Sequence, residues 1–272
     1  MKRNEIRLVA LDMDGTLLHD DKTLSPRTVG VLQRLAGMGV RVVPATGRGL
    51  DGLRDTVLKA ASIRHAICSN GATIQDAATG KVLYSQPIPR EEALRTLAHY
   101  REHRLFFYLH TDRGSVRPEG WRETGLAERY PHLRFETCTV PDLAAWLRGS
   151  DATVLKMGAF AYDGDTFRTV LREGSPSPAL RLMRTGDRNI EINSALASKG
   201  NALKTLCAML GLPVSSALAV GDNQNDLEML SIAGVSAAMG NAEDDVKAAA
   251  DFVTGTNNED GAAAFLEEYF GL

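Results

Sequence analysis

Ile6-Arg7-Leu8-Val9-Ala10-Leu11-Asp12-Met13-Asp14-Gly15-Thr16 is the stretch on which the reading of this chain turns. A short aliphatic and β-branched run stops abruptly at Asp, Gly and Thr, which is how a buried strand meets a loop. Asp12 and Asp14, two apart on an extended segment, project to the same side and bring two carboxylates into one small volume. Like charges held that close repel unless a cation or a proton intervenes. A divalent ion resolves the conflict, and oxygen-only ligands favour magnesium. Gly15 permits a tight turn whose backbone N–H groups can face an anion.

Working outward, Ser25-Pro26 supplies an N-cap and a proline at the first helical position, and Val29, Leu32, Leu35 and Ala36 follow at helical spacing. Val40 to Val43 read as a second strand, Leu50 to Ala61 as a second helix, and His65 to Cys68 as a third strand running into Ser69-Asn70-Gly71. Strand, helix and strand in close succession imply right-handed crossovers and a parallel sheet. Near Lys81 the grammar changes to amphipathic runs such as Leu105 to Leu109 and Thr153 to Met157, with helical stretches at Arg90 to His103 and Asp163 to Arg172. That pattern suits an α+β domain whose sheet is covered on one face. From Lys199 the first grammar returns, with a helix, a buried strand Ala217 to Val220, a helix around Leu227 to Ile232, and strands near Val235 to Met239 and Asp251 to Val253. The expected fold is therefore α/β: a doubly wound, Rossmann-like parallel sheet from residues 1–80 and 189–272, with residues 81–188 as an inserted α+β cap domain.

Ligands in open parallel sheets bind beyond the carboxyl ends of the strands, and four such ends carry polar clusters here. Besides Asp12 to Thr16 these are Ala45-Thr46-Gly47-Arg48, Ser69-Asn70-Gly71 and Gly221-Asp222-Asn223-Gln224-Asn225-Asp226. In the last, Asn225 and Asp226 come one turn after Asp222, where a helix start aims them back toward the same point. Lys199, at a helix start, offers a compensating positive charge for an anionic group. Alone, Asp222 reads as a helix cap and Thr-Gly-Arg as a turn. Their occurrence in order, each at a strand end, is what separates a site from a set of turns. Arg48, Asn70, Glu191 and Asn193 are further candidates for contact with substrate, with structural roles equally open to them.

The remaining composition excludes more than it assigns. The 272 residues are 44% hydrophobic and 24% charged, which suits a globular chain, and a net charge of −3 offers no broad attraction to nucleic acid. No apolar run approaches the ~18 residues of a membrane span, and the opening Met1-Lys2-Arg3 is followed by a run broken at Arg7, so neither a membrane span nor an export signal is expected. A cytoplasmic location is the resulting expectation, with monomer and homodimer both open. Cys68, Cys138 and Cys207 form no CxxC pair, and the six histidines form no HExxH, so zinc is not indicated.

The four clusters resemble the four motifs of the haloacid dehalogenase superfamily. The Gly-Asp-Asn-Gln-Asn-Asp form, with a large insertion between Thr46 and Lys199, resembles the Cof-type phosphatases. The resemblance runs through the whole chain, including Met239-Gly240-Asn241-Ala242 and Asn257-Asn258-Glu259-Asp260-Gly261. It implies Asp12 as nucleophile and Asp14 as general acid/base, with Thr46, Gly47 and Lys199 binding the substrate phosphate. It implies Mg2+ held by Asp12, Asp222 and the backbone carbonyl of Asp14, with Asn225 and Asp226 supporting the metal or Lys199. Superfamily ATPases carry Thr in place of Asp14 and dehalogenases lack the second Asp, so the residue present here points to phosphatase or phosphomutase chemistry. Acting as both acid and base, Asp14 is expected to titrate nearer neutrality than a free carboxyl. The function expected is magnesium-dependent hydrolysis of a small phosphate ester through an aspartyl-phosphate. A phosphomutase or phosphotransferase, and a non-catalytic binding protein on the same fold, are the alternatives.

Overall fold

The run that opened the reading is β1 (Leu8–Leu11), buried at every position, in a computed structural model that describes residues 6–120 and 137–272. Met1-Lys2-Arg3 lies outside the described residues. β1 sits between β2 (Arg41–Pro44) and β12 (Ala217–Gly221), and β13 (Val235–Ala238) and β14 (Phe252–Val253) complete a five-stranded sheet in the order β14-β13-β12-β1-β2. Every pairing in it is parallel. The chain leaves β1 in one direction to β2 and later fills the other side through β12, β13 and β14, so the strand order reverses between β1 and β12. A reversal of this kind opens a crevice at the carboxyl ends of the two central strands.

The first helix follows the capping chemistry read from the sequence. In α1 (Pro26–Gly37) the Ser25 side chain accepts from Thr28 N, and Val31, Leu32 and Leu35 are buried in the core around β1. The expected helix from Leu50 to Ala61 is instead two single turns, α2 (Asp51–Arg54) and α3 (Val57–Ala60). Thr56 between them leaves helical geometry, and its hydroxyl donates back to the Leu53 carbonyl, a side-chain bond that competes with the helical ladder. The third strand also differs from expectation. β3 (His65–Cys68) touches the end of β2 by a single parallel bridge, Ala45 to Ile67, and otherwise pairs antiparallel with β4 (Thr73–Asp76), which pairs with β5 (Val82–Ser85).

The contacts divide the chain into one unit of residues 1–85 and 198–272 and a second of Gln86–Ala197. The expected cuts at 80/81 and 188/189 therefore move to 85/86 and 197/198. β5 belongs with β4, while β11 (Asn189–Ser194) pairs with β9 (Val154–Ala161) and β10 (Leu180–Arg184). The second unit holds a six-stranded sheet, which also contains β6 (Leu105–Thr111), β7 (Gly114–Pro118) and β8 (Thr137–Val140), in the order β10-β11-β9-β6-β7-β8. Phe107, Leu109, Met157, Ala159, Ile190 and Ile192 share an apolar cluster with Ala93 of α4 (Arg90–His99), Leu147 of α5 (Leu143–Gly149) and Val170 of α6 (Gly164–Glu173). Their alternation along the strands is the pattern of a sheet with helices on one face. Among the described residues no helix is long and apolar enough to cross a membrane.

Candidate active site

Five segments of the first unit meet at the crevice. Asp12 follows β1 directly and is buried, and its backbone N–H donates to Val220 O of the neighbouring β12. Asp222 follows β12. Gly15 takes a φ of 82°, and a Cβ there would fall 2.5 Å from Asp222 Oδ2, so the turn after β1 packs on the carboxylate through the one residue that permits both. Thr16 Oγ1 donates to Asp222 Oδ1 at 2.7 Å, a contact to which the sequence reading gave no role.

Lys199 opens α7 (Lys199–Met209), whose N-cap Ser198 accepts from Asn201 N. Its side chain is fully buried and its Nζ donates to Asp12 Oδ1 at 2.5 Å and to Asp226 Oδ1 at 2.7 Å. Asp226 lies in a short 3-10 turn, Gln224–Asp226, and its other oxygen accepts from the N–H groups of Asp222 and Asn223. Both of its oxygens are thus engaged in holding Lys199 and the loop after β12.

Three carboxylates facing one buried ammonium leave negative charge uncompensated. Burial pushes Asp12 well above the usual carboxylate range; Lys199 pulls it back, and Asp226 and Asp222 push it up again. Burial also raises Asp222, to about 6, with Asp226 adding to the rise and Thr16 opposing it. Lys199 is held charged, because the two carboxylates it bridges outweigh the cost of burying it. Oxygens of Asp12, Asp222 and Asp226 lie within 4.8 Å of one another, an all-oxygen donor set suited to a hard divalent cation. With Asp226 committed to Lys199 and to backbone N–H groups, Asp12 and Asp222 are the carboxylates left to hold one.

Asp14 is not part of that cluster. Arg48 grips it with two hydrogen bonds of 2.6 Å, Nε to Oδ2 and Nη2 to Oδ1, and Lys22 Nζ lies 3.0 Å from Oδ1. Burial raises the Asp14 carboxyl, but the two cations more than offset this and hold it at about 2. The expectation of a pKa near neutrality is therefore corrected for this arrangement: two cations on one carboxylate stabilise its charged form. Lys22 carried no signal in the sequence pattern. It stands in a left-handed turn with a φ of 68°, in which its N–H donates to His19 O.

Thr46 is buried beyond β2, and its hydroxyl accepts from Arg48 N at 3.1 Å, with half-buried Gly47 between them. Asn70 is buried in the loop after β3 with a φ of 58°, donates its N–H to Thr46 O, and accepts at Oδ1 from Asn225 Nδ2 at 3.2 Å. The amide of Asn225 is thus turned to Asn70, so the pair links the third and fourth clusters. Glu191 and Asn193 are residues of the other unit. Both belong to β11 of the second unit, where Glu191 forms a buried ion pair with Lys156 and Asn193 Nδ2 donates to Leu155 O.

The chain as a whole has known relatives. The sequence profile of the haloacid dehalogenase-like hydrolases matches residues 9–266. The chain is 31% identical to the 5-amino-6-(5-phospho-D-ribitylamino)uracil phosphatase YcsE of Bacillus subtilis, over 97% of this chain and 96% of that one. It is also 31% identical to the pyridoxal phosphate phosphatase YbhA of Escherichia coli, over 96% and 97%. A solved haloacid dehalogenase-like hydrolase from B. subtilis superposes with a TM-score of 0.86 at 27% identity, covering 96% of this chain and 99% of its own.

Proposed function

Because the chain belongs to the haloacid dehalogenase-like hydrolases and is a phosphatase, we propose that it hydrolyses a small phosphorylated metabolite, a sugar phosphate or similar monoester, through a phosphoryl group carried on Asp12. The observation that carries this reading is the setting of Asp12: it stands at the strand-order reversal, buried, bonded to Lys199 and beside Asp222. The two relatives named for different organophosphates support the substrate class rather than one member of it.

Magnesium is the cation the donor set fits; Asp12 and Asp222, with the backbone carbonyl of Asp14 that the family resemblance implies, would hold it, and bound there it would neutralise charge on the phosphoryl oxygens. The chain's own groups supply the rest. Lys199 fixes one oxygen of Asp12, leaving the other to attack phosphorus as the bond to the leaving oxygen breaks. The Thr46 hydroxyl and the Gly47 N–H bind phosphoryl oxygens, and Asp226 supports Lys199. Asp14 protonates the leaving oxygen and later takes a proton from the water that hydrolyses the aspartyl-phosphate. A carboxyl held at about 2 carries no proton at neutral pH, so Asp14 must first leave both Arg48 and Lys22. Substrate oxygens competing for the two cations would provide the means, and on that ground Arg48 is assigned to substrate binding, with Asn70, bonded to Asn225, as the second candidate. The inserted unit sets the preference for the leaving group.

A panel of phosphorylated metabolites, followed by release of free phosphate, tests the reading. Turnover with magnesium should fall to background in excess EDTA. Exchanging Gln86–Ala197 for the matching unit of a relative should reorder the panel and keep the metal requirement. Undiminished turnover after verified metal removal contradicts the reading. Transfer to a second hydroxyl with little free phosphate would make the enzyme a phosphotransferase.

A further inference from the structure

Two segments that the chemistry above does not use, Met239 to Ala242 after β13 and Asn257 to Gly261 after β14, converge on the loop that carries Asp12 and Asp14. Asn257 is buried, and all three of its N–H bonds are aimed at this region. Its backbone N–H donates to Asn241 Oδ1 at 2.9 Å, and its Nδ2 donates to Leu18 O and to Asp20 Oδ1, each at 3.0 Å. Asn241 Nδ2 in turn donates to the carbonyl of Gly15 at 2.8 Å. Asn258 makes a two-way bond with Asp20, accepting from its N–H at 3.0 Å and donating to its Oδ2 at 2.8 Å. Asp260 Oδ1 lies 2.8 Å from His19 Nε2. The loop is thus gripped at Gly15, Leu18, His19 and Asp20 from the side of β13 and β14, while Thr16 bonds to Asp222.

We propose that Asn257, acting with Asn241, is a positioning residue for the reaction: it fixes the carbonyls of Gly15 and Leu18, and so sets where the backbone holds Asp12 and Asp14 relative to Lys199 and Asp222. The two carbonyls follow the carboxylates by one to six residues, and the loop's own backbone bonds are an isolated bridge of Asp14 with Leu18 and turns closed on Met13 O and His19 O rather than a continuous ladder. Side-chain amides add to these the bonds to the carbonyls of Gly15 and Leu18. A group that only stabilised the fold would have no reason to concentrate its donors on the one loop that carries both carboxylates. Displacements of about 1 Å at a reacting group cost on the order of 100-fold in rate.

This inference rests on the assignment of Asp12 and Asp14 as the reacting groups, and its test separates the two. Asn257→Ala and Asn241→Ala are compared with the parent protein on an activated aryl phosphate and on an alkyl phosphate, below the onset of melting, with Asp12→Asn alongside. The expected result is a fall in kcat of roughly 10- to 100-fold with KM nearly unchanged. The loss should be larger on the alkyl ester, whose departure needs the proton from a correctly placed Asp14. Parental kcat in folded Asn257→Ala, or an equal loss on both esters, overturns the proposal. Should Asn257→Ala not fold, Asn241→Ala decides by the same criteria, since its side chain is exposed and tolerates truncation. An active Asp12→Asn would instead overturn the reading of the site itself.

Discussion

Asp222 shows at the scale of one residue how densely the site crowds its carboxylates. Its carboxyl is pushed to about 6, first by burial and then by Asp226, from an ordinary value of 3.8. Between those two values the folded chain binds a proton that the unfolded chain does not, so this group's contribution to stability falls as pH rises through that window. Metal-free protein should therefore lose thermal stability from pH 4 to pH 6 by more than its Asp222→Asn variant does. Saturating magnesium, taken up at the proposed site of the folded form, should largely remove the difference above pH 6. Melting curves in EDTA and in magnesium across that range check this, and parallel pH dependences in the two proteins without metal would contradict it. The same scale shows what a linear pattern conveys. Asp12, Asp222 and Lys199 were legible because each sits at a strand end or a helix start. The grip of Arg48 and Lys22 on Asp14 was not, since nothing in the spacing of 14, 22 and 48 says which long side chain reaches which carboxylate.

Elements place these residues, and the junction between the loop after β3 and the start of α7 is the tightest. Gly71 takes a φ of 90°, and a Cβ there would fall 2.0 Å from the carbonyl oxygen of Ser198, the N-cap of the helix that begins with Lys199. An alanine is opposed twice, by backbone conformation and by contact with a backbone atom that cannot rotate away. Gly71→Ala should thus lower stability by ~1 kcal/mol or more and move Lys199 off Asp12, with kcat falling at least ~10-fold in the folded protein. Thermal melts and steady-state kinetics on the variant check both parts; parental kcat would show that the junction does not place Lys199. Capping chemistry made α1 legible from Ser25-Pro26, and the spacing of Leu203, Leu206 and Leu210 made α7 legible. The break at Thr56 and the antiparallel pairing of β3 were not, because the first depends on a side-chain bond to Leu53 and the second on a partner strand still to come.

At the scale of the whole chain, two grammars in the sequence correspond to two units, and the strand order that reverses between β1 and β12 sets the site. Hydrophobic periodicity tells a parallel sheet from a half-covered one, so the insertion was legible; its limits were not, because β5 and β11 join their sheets through pairings with strands elsewhere. The fold and the crowding of carboxylates all converge on one oxygen pair, that of Asp12. Rapid quench of the enzyme with a phosphorylated substrate and magnesium, followed by peptide mass spectrometry, locates the phosphoryl group directly. The account predicts that it is carried on Asp12 and that the labelled species is lost as free phosphate appears; label on any other residue contradicts it.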